Sequence, residues 1–161
     1  MNTFFGLPAH PLLVHIPVVL IPLLTIGVIA IAVRPDWREK HLRWMAVLGL
    51  LVMVATVAAA SAGEYLEARV GDTPQLKTHT DLGGQTEAFM IAFGIVLALA
   101  ALAQWRSAVT AKLARYVAPL VIVAAVAGTV TSVWVTRTGH AGAKSVWDET
   151  PKQPLPGKSG G

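Results

Sequence analysis

The sequence contains no cysteine. That excludes disulfides, thiolate-held zinc, iron–sulfur clusters and covalently attached c-type haem. Charge is scarce as well: Asp, Glu, Lys and Arg make up 14% of 161 residues, whereas a soluble domain carries about 25%. So few charges cannot solvate a globule of this size. Enzyme signatures are missing too, with no P-loop, dinucleotide fingerprint or nucleophile elbow. No basic–aromatic surface points to nucleic acid. No basic segment precedes the first apolar run and no secretory-type cleavage site follows it, so that run reads as a retained helix and not a signal peptide.

Long apolar runs fill the chain instead. Hydrophobic residues make up 54% of it, and mean hydropathy is +0.59. Crossing a bilayer takes about 20 residues, and four runs reach that length. They predict helices over about 11–33, 44–66, 74 or 82 to 105, and 116–136. Open strands would leave backbone groups unpaired in hydrocarbon, so all four read as helices. The expected architecture is an all-α integral membrane four-helix bundle, up-down, over residues 1–147. The segment 148–161, rich in Pro, Lys, Gly and Ser, is expected to be a mobile tail. No internal repeat stands out.

Basic residues orient the bundle. Arg34, Arg38, Lys40 and Arg43 lie in one connection, and Arg106, Lys112 and Arg115 in another on the same side. Such an excess marks the cytoplasmic face, so both termini are expected outside a bacterial cytoplasmic (inner) membrane. Trp37, Trp44, Trp105 and Tyr116 suit the inner interface, and Phe4, Phe5, Tyr65, Trp134 and Trp147 the outer one. Pro17 and Pro22 predict a kink in the first helix. Thr73-Pro74 resembles a capped helix start, with Gly83-Gly84 as a weak point beyond it. Small residues in the second and fourth helices, among them Gly49, Ala59, Gly63 and Gly128, suit close helix contact.

On this layout four of the five histidines fall on the outer side: His10, His15, His79 and His140. His41 alone is cytoplasmic. Neutral imidazole ligates Zn, Cu and haem iron, and ionisable groups near a membrane interior are functional candidates. His10 and His15 are about 140° apart on an ideal helix, so they share a focus only if His10 lies outside it. His15 and His79, on helices diagonal across the core, form a candidate axial pair for haem b. Gly83 would leave room for the macrocycle, and Arg137 is placed to meet a propionate. His10 and His140 remain for a second site, for propionate contacts or for a metal ion, with Glu64 as support. The bland reading is that interfacial histidines are merely solvated, that Glu64 and Glu87 are interfacial carboxylates, and that Met45, Met53 and Met90 are packing residues.

The opening Gly6-Leu7-Pro8-Ala9-His10-Pro11-Leu12-Leu13-Val14-His15-Ile16-Pro17 resembles the signature of a family of predicted bacterial four-helix membrane proteins, domain of unknown function 2231. Thr78-His79-Thr80-Asp81-Leu82-Gly83 and Thr138-Gly139-His140-Ala141-Gly142-Ala143-Lys144-Ser145-Val146-Trp147 are similar to its other recurrent segments. The family name promises no activity. Some relatives are joined to Rieske-type or c-type cytochrome domains, which implies redox work and favours haem over structural zinc.

Three functions are therefore expected in order. The first is a b-type haem, cytochrome-like electron-transfer protein in the lipid bilayer, served by a separate redox protein or a quinone. The second is a Zn or Cu protein for sensing, delivery or transport that uses His10, His15, His79 and His140. The third is a structural subunit of a larger complex, and an oligomer is compatible with all three. An electron-transfer or binding role is expected ahead of hydrolysis or group transfer.

Overall fold

A computed structural model describes residues 3–4, 7–70 and 73–147, with side chains over 10–69 and 73–145. The tail at 148–161 lies outside the described residues. Two short strands, β1 (Thr3–Phe4) and β2 (Leu7–Pro8), pair antiparallel with Thr3 opposite Pro8 and Phe4 opposite Leu7. Helices then follow: α1 (Ala9–Leu13), α2 (His15–Val33), α3 (Pro35–Val70), α4 (Pro74–Ser107) and α5 (Ala114–Trp147), the last after a 3-10 turn at Ala111–Leu113. Four helical stretches are long and apolar enough to cross a membrane. The chain is all-helical apart from the strand pair and connections, as its composition requires.

The helices outrun their apolar cores. α3 has 36 residues, about 54 Å at 1.5 Å per residue, against roughly 30 Å of hydrocarbon. Pro35 opens α3 where no backbone donor is needed, and Asp36 in the first turn suits its positive end. At the far end no Gly or Pro interrupts Glu64–Val70, so the helix continues into polar sequence. α5 likewise runs through Gly139 and Gly142 to Trp147. His140 therefore lies within a helix and not after one. α4 starts at Pro74, where the Thr73 hydroxyl accepts from the Leu76 N–H at 3.1 Å. It stays continuous through Gly83-Gly84.

The first run is interrupted one turn before Pro17, where its missing donor predicts a kink, and not before Pro22. Val14 separates α1 from α2. Pro17 has no N–H to give the Leu13 carbonyl one turn back, so the helix lacks a bond at that joint. Pro22 stays within α2. Both α2 and α4 pack against α3 and α5, and they face each other across the diagonal of the bundle. α1 packs on α3.

The two halves of the chain are repeats of one helical hairpin, contrary to the reading of the sequence. The buried residues of α2 are Pro17, Ile21, Leu24, Thr25, Val28 and Ile31. Those of α4 are Thr86, Met90, Phe93, Gly94, Leu97 and Ala100. Each pair is related by the same shift of 69 positions (17 to 86, 31 to 100). On α3 and α5 a constant shift of 79 relates Leu42 to Val121, Gly49 to Gly128, Val52 to Thr131 and Thr56 to Val135. Contacts follow the same rule. Thr25 on α2 meets Ser132 on α5 with their hydroxyls 3.0 Å apart, and Gly94 on α4 meets Met53 on α3. The halves run in the same sense, which corresponds to parallel repeats about an axis along the membrane normal.

The polar groups of the core are satisfied. Thr25, Thr56, Thr86 and Thr131 are buried, and each hydroxyl donates to the carbonyl four residues back. No buried side-chain polar atom among the described residues lacks a partner. Both Gly49 and Gly128 sit at close helix crossings, Gly128 at the tighter one. A Cβ at Gly128 would lie 2.8 Å from both Phe93 Cζ and Thr25 Oγ1. Gly128→Ala is thus expected to destabilise the bundle by about 1–3 kcal/mol through overpacking. Gly84 has nothing within 4 Å of such a Cβ, and Gly84→Ala is expected to stabilise by about 0.5–1 kcal/mol. Thermal unfolding of both variants in the same detergent checks the opposite signs.

Candidate functional site

The strand pair, the α3–α4 connection and the end of α5 share one end of the bundle, and four of the five histidines gather there. Fully buried residues stop at Pro17, Ala59, Thr86 and Val135 on the four long helices. Beyond that level is a half-exposed layer, which holds His10 and His79. Their rings approach across the α2–α4 diagonal, with centroids 6.1 Å apart and planes at 76°.

Each ring is held in the same way. His10 Nδ1 lies 2.8 Å from the Ala59 carbonyl of α3. His79 Nδ1 lies 3.0 Å from the Thr138 carbonyl of α5. A carbonyl only accepts, so Nδ1 carries the proton in both rings, and Nε2 of the neutral imidazole keeps its lone pair. Neither Nε2 has a hydrogen-bond partner among the described residues. Both carbonyls belong to helices and already serve their own backbone, but a carbonyl oxygen has a second lone pair.

Reaching that lone pair requires a gap in the side-chain sheath of the helix. Glycine one turn on provides it. A Cβ at Gly63, four residues after Ala59, would fall 2.9 Å from His10 Cε1 and 3.0 Å from its Nδ1. A Cβ at Gly142, four residues after Thr138, would fall 2.9 Å and 3.0 Å from the same atoms of His79. Nε2 stands farther off, at 3.7 Å and 3.6 Å. The shifts that relate the buried residues also relate His10 to His79, Ala59 to Thr138 and Gly63 to Gly142. The pair is therefore two copies of one ring seat.

The other candidates lie elsewhere. His15 is exposed, and its Nδ1 turns back to the Pro11 carbonyl at 2.6 Å. The structure thus brings His79 to His10 in place of His15, because His10 lies seven residues before buried Pro17 on the inward face, as His79 lies seven before buried Thr86, while His15 is off that face. His140 is exposed. Glu64 is exposed and makes no hydrogen bond or ion pair among the described residues. Arg137 is exposed with its guanidinium 5.1 Å from the Trp134 ring centre. A Cβ at Gly83 would meet only the Thr138 methyl, at 4.0 Å, so there is space beside α4. No group of three or more His, Asp or Glu side chains converges among the described residues. Gly63 and Gly142 escaped the sequence reading because glycines among alanines look like helix contacts; the constant spacing from each histidine was the available signal.

Two equivalent seats give a direct expectation. In protein labelled with 15N-histidine, neutral His10 and His79 should both appear as the Nδ1–H tautomer. Gly63→Ala and Gly142→Ala should each release one ring from its carbonyl and leave the other in place. An Nε2–H tautomer at either ring would contradict the geometry.

The family model described as "Predicted membrane protein (DUF2231)" matches residues 6–151. No curated protein and no solved structure matches the chain. The matched region takes in α1 to α5 and both ring seats, and the chain belongs to this family of predicted membrane proteins.

Proposed function

We propose that this protein is a membrane-bound, b-type cytochrome-like electron carrier in which His10 and His79 are the axial ligands of haem b. One observation carries the reading: two imidazoles stand with ring centres 6.1 Å apart, each with Nδ1–H at a helix carbonyl and Nε2 without a partner among the described residues. That is the usual outer-shell arrangement of a metal-bound histidine, which fixes the tautomer and makes the ligating nitrogen more basic. The spacing fits as well. Two metal–imidazole bonds of about 2.0–2.1 Å put the facing nitrogens about 4 Å apart and the ring centres roughly 6 Å apart, beside 6.1 Å between these centroids.

The donor set favours haem over a structural zinc ion. Zinc takes four protein ligands in a structural site and three in a catalytic one. Haem iron needs only axial ligands from the chain, and among the described residues the imidazole pair has no third His, Asp or Glu beside it. The seats keep Nδ1 protonated, and the packed layer below excludes water. Bound haem supplies one-electron transfer, and the chain supplies orientation and dielectric. Copper held by the two imidazoles is the second reading that this donor pair supports.

The basic loops orient the site. Arg34, Arg38, Lys40 and Arg43 precede or open α3, and Arg106, Lys112 and Arg115 lie between α4 and α5, all opposite the histidines. On the positive-inside rule the ring seats and both termini face outward from a bacterial inner membrane. The electron partner is then a redox protein on that side or a quinone.

Protein made with ample haem and purified in mild detergent should show a Soret band, a pyridine haemochrome signal and a low-spin bis-imidazole spectrum. His15→Ala and His140→Ala should keep all three, and the double variant His10→Ala/His79→Ala should lose them. Colourless wild-type protein would overturn the haem reading, and stoichiometric copper in that preparation would select the second one.

A further inference from the structure

The two ring seats match in geometry but not in support. His79 rides on α4, an unbroken helix of 34 residues with a capped start. The Thr78 and Thr80 hydroxyls on either side bond to the Pro74 and Leu76 carbonyls. Its seat is braced again, because the Thr138 hydroxyl lies 2.8 Å from the Thr86 hydroxyl of α4 and can donate to it while Thr86 donates to the Leu82 carbonyl.

His10 rides on α1, which has five residues. It runs on into α2 through Val14, which keeps helical angles, but as a terminal turn it has few backbone bonds to offset the ordering of its residues. Pro11 brings no N–H to it, and the joint to α2 lacks the bond that Pro17 cannot make. The Val14 N–H reaches the His10 carbonyl at 3.0 Å, and the Pro11 carbonyl takes the His15 ring at 2.6 Å. On the seat itself Ala59 stands where the other half has Thr138, and Pro17 stands where it has Thr86. No hydroxyl brace exists there.

We infer that His10 is an exchangeable ligand and His79 a fixed one, so that α1 acts as a latch that opens one coordination position of the bound haem to a small neutral diatomic molecule. This rests on the haem reading above. In the exchange the bond from His10 Nε2 to ferrous iron breaks and an iron–carbon bond to carbon monoxide forms. The iron stays ferrous, and His10 leaves as a neutral imidazole that still carries its Nδ1 proton.

The test uses the full-length protein in nanodiscs, with carbon monoxide as the probe. His10→Ala should retain at least half of the wild-type haem and bind carbon monoxide at least tenfold faster than wild type once reduced. His79→Ala should lose at least nine-tenths of the haem. Amide hydrogen exchange on wild-type protein without haem provides a second measurement, with Leu12 and Leu13 expected to exchange at least tenfold faster than Thr78–Leu82. Equal haem loss in the two variants, or loss confined to His10→Ala, would overturn the assignment while leaving the haem reading intact. If wild type takes up no haem, the haem reading fails, and equal exchange of the two segments would remove the latch as well.

Discussion

Each of two imidazoles gives its Nδ1–H to a carbonyl that a helix has already used once, and the histidine end of the bundle is arranged around that bond. In a membrane the backbone must satisfy itself, so a side chain cannot take a helix carbonyl away; it can only share one. Sharing needs an opening in the side-chain sheath, and here it is a glycine one turn beyond the carbonyl. Residue 10 meets a gap at residue 63, and residue 79 meets one at residue 142. The tautomer of both rings and their diagonal approach follow from these two contacts.

The internal repeat explains why the seats agree so closely. Two hairpins of the same sense packed about a common axis present the same residue positions to one another. Where bulk is needed against one neighbour, Thr25 meets Ser132; where the exchanged positions meet, Gly94 accepts Met53. Total volume at the crossing is kept while identities change, which is how close-packed interiors tolerate divergence. The halves have drifted enough that no stretch of one reads like the other. Their burial patterns remain in register, because a helix facing the axis must present the same face.

Symmetry also makes the departures informative. The second half carries a continuous helix and a hydroxyl brace; the first carries a broken helix, prolines and an alanine. These differences cluster around one imidazole.

The sequence by itself determined the solvent and the class of fold. Its missing cysteine and scarce charge, with four long apolar runs, left a helical membrane bundle as the arrangement that satisfies the backbone, and the basic loops divided its ends. It also brought four histidines to one end, because their positions along the runs are set by helical rise. Tertiary structure alone decided which of them meet. His15 looked like the partner for His79 only while the inward face of the first helix was unknown; with Pro17, Ile21 and Leu24 turned inward, His10 falls on that face seven residues before Pro17 and His15 does not. Gly63 and Gly142 became ring seats only through contacts spanning more than fifty residues of chain, and helical periodicity carries no information about which neighbouring helix will lie against a given face.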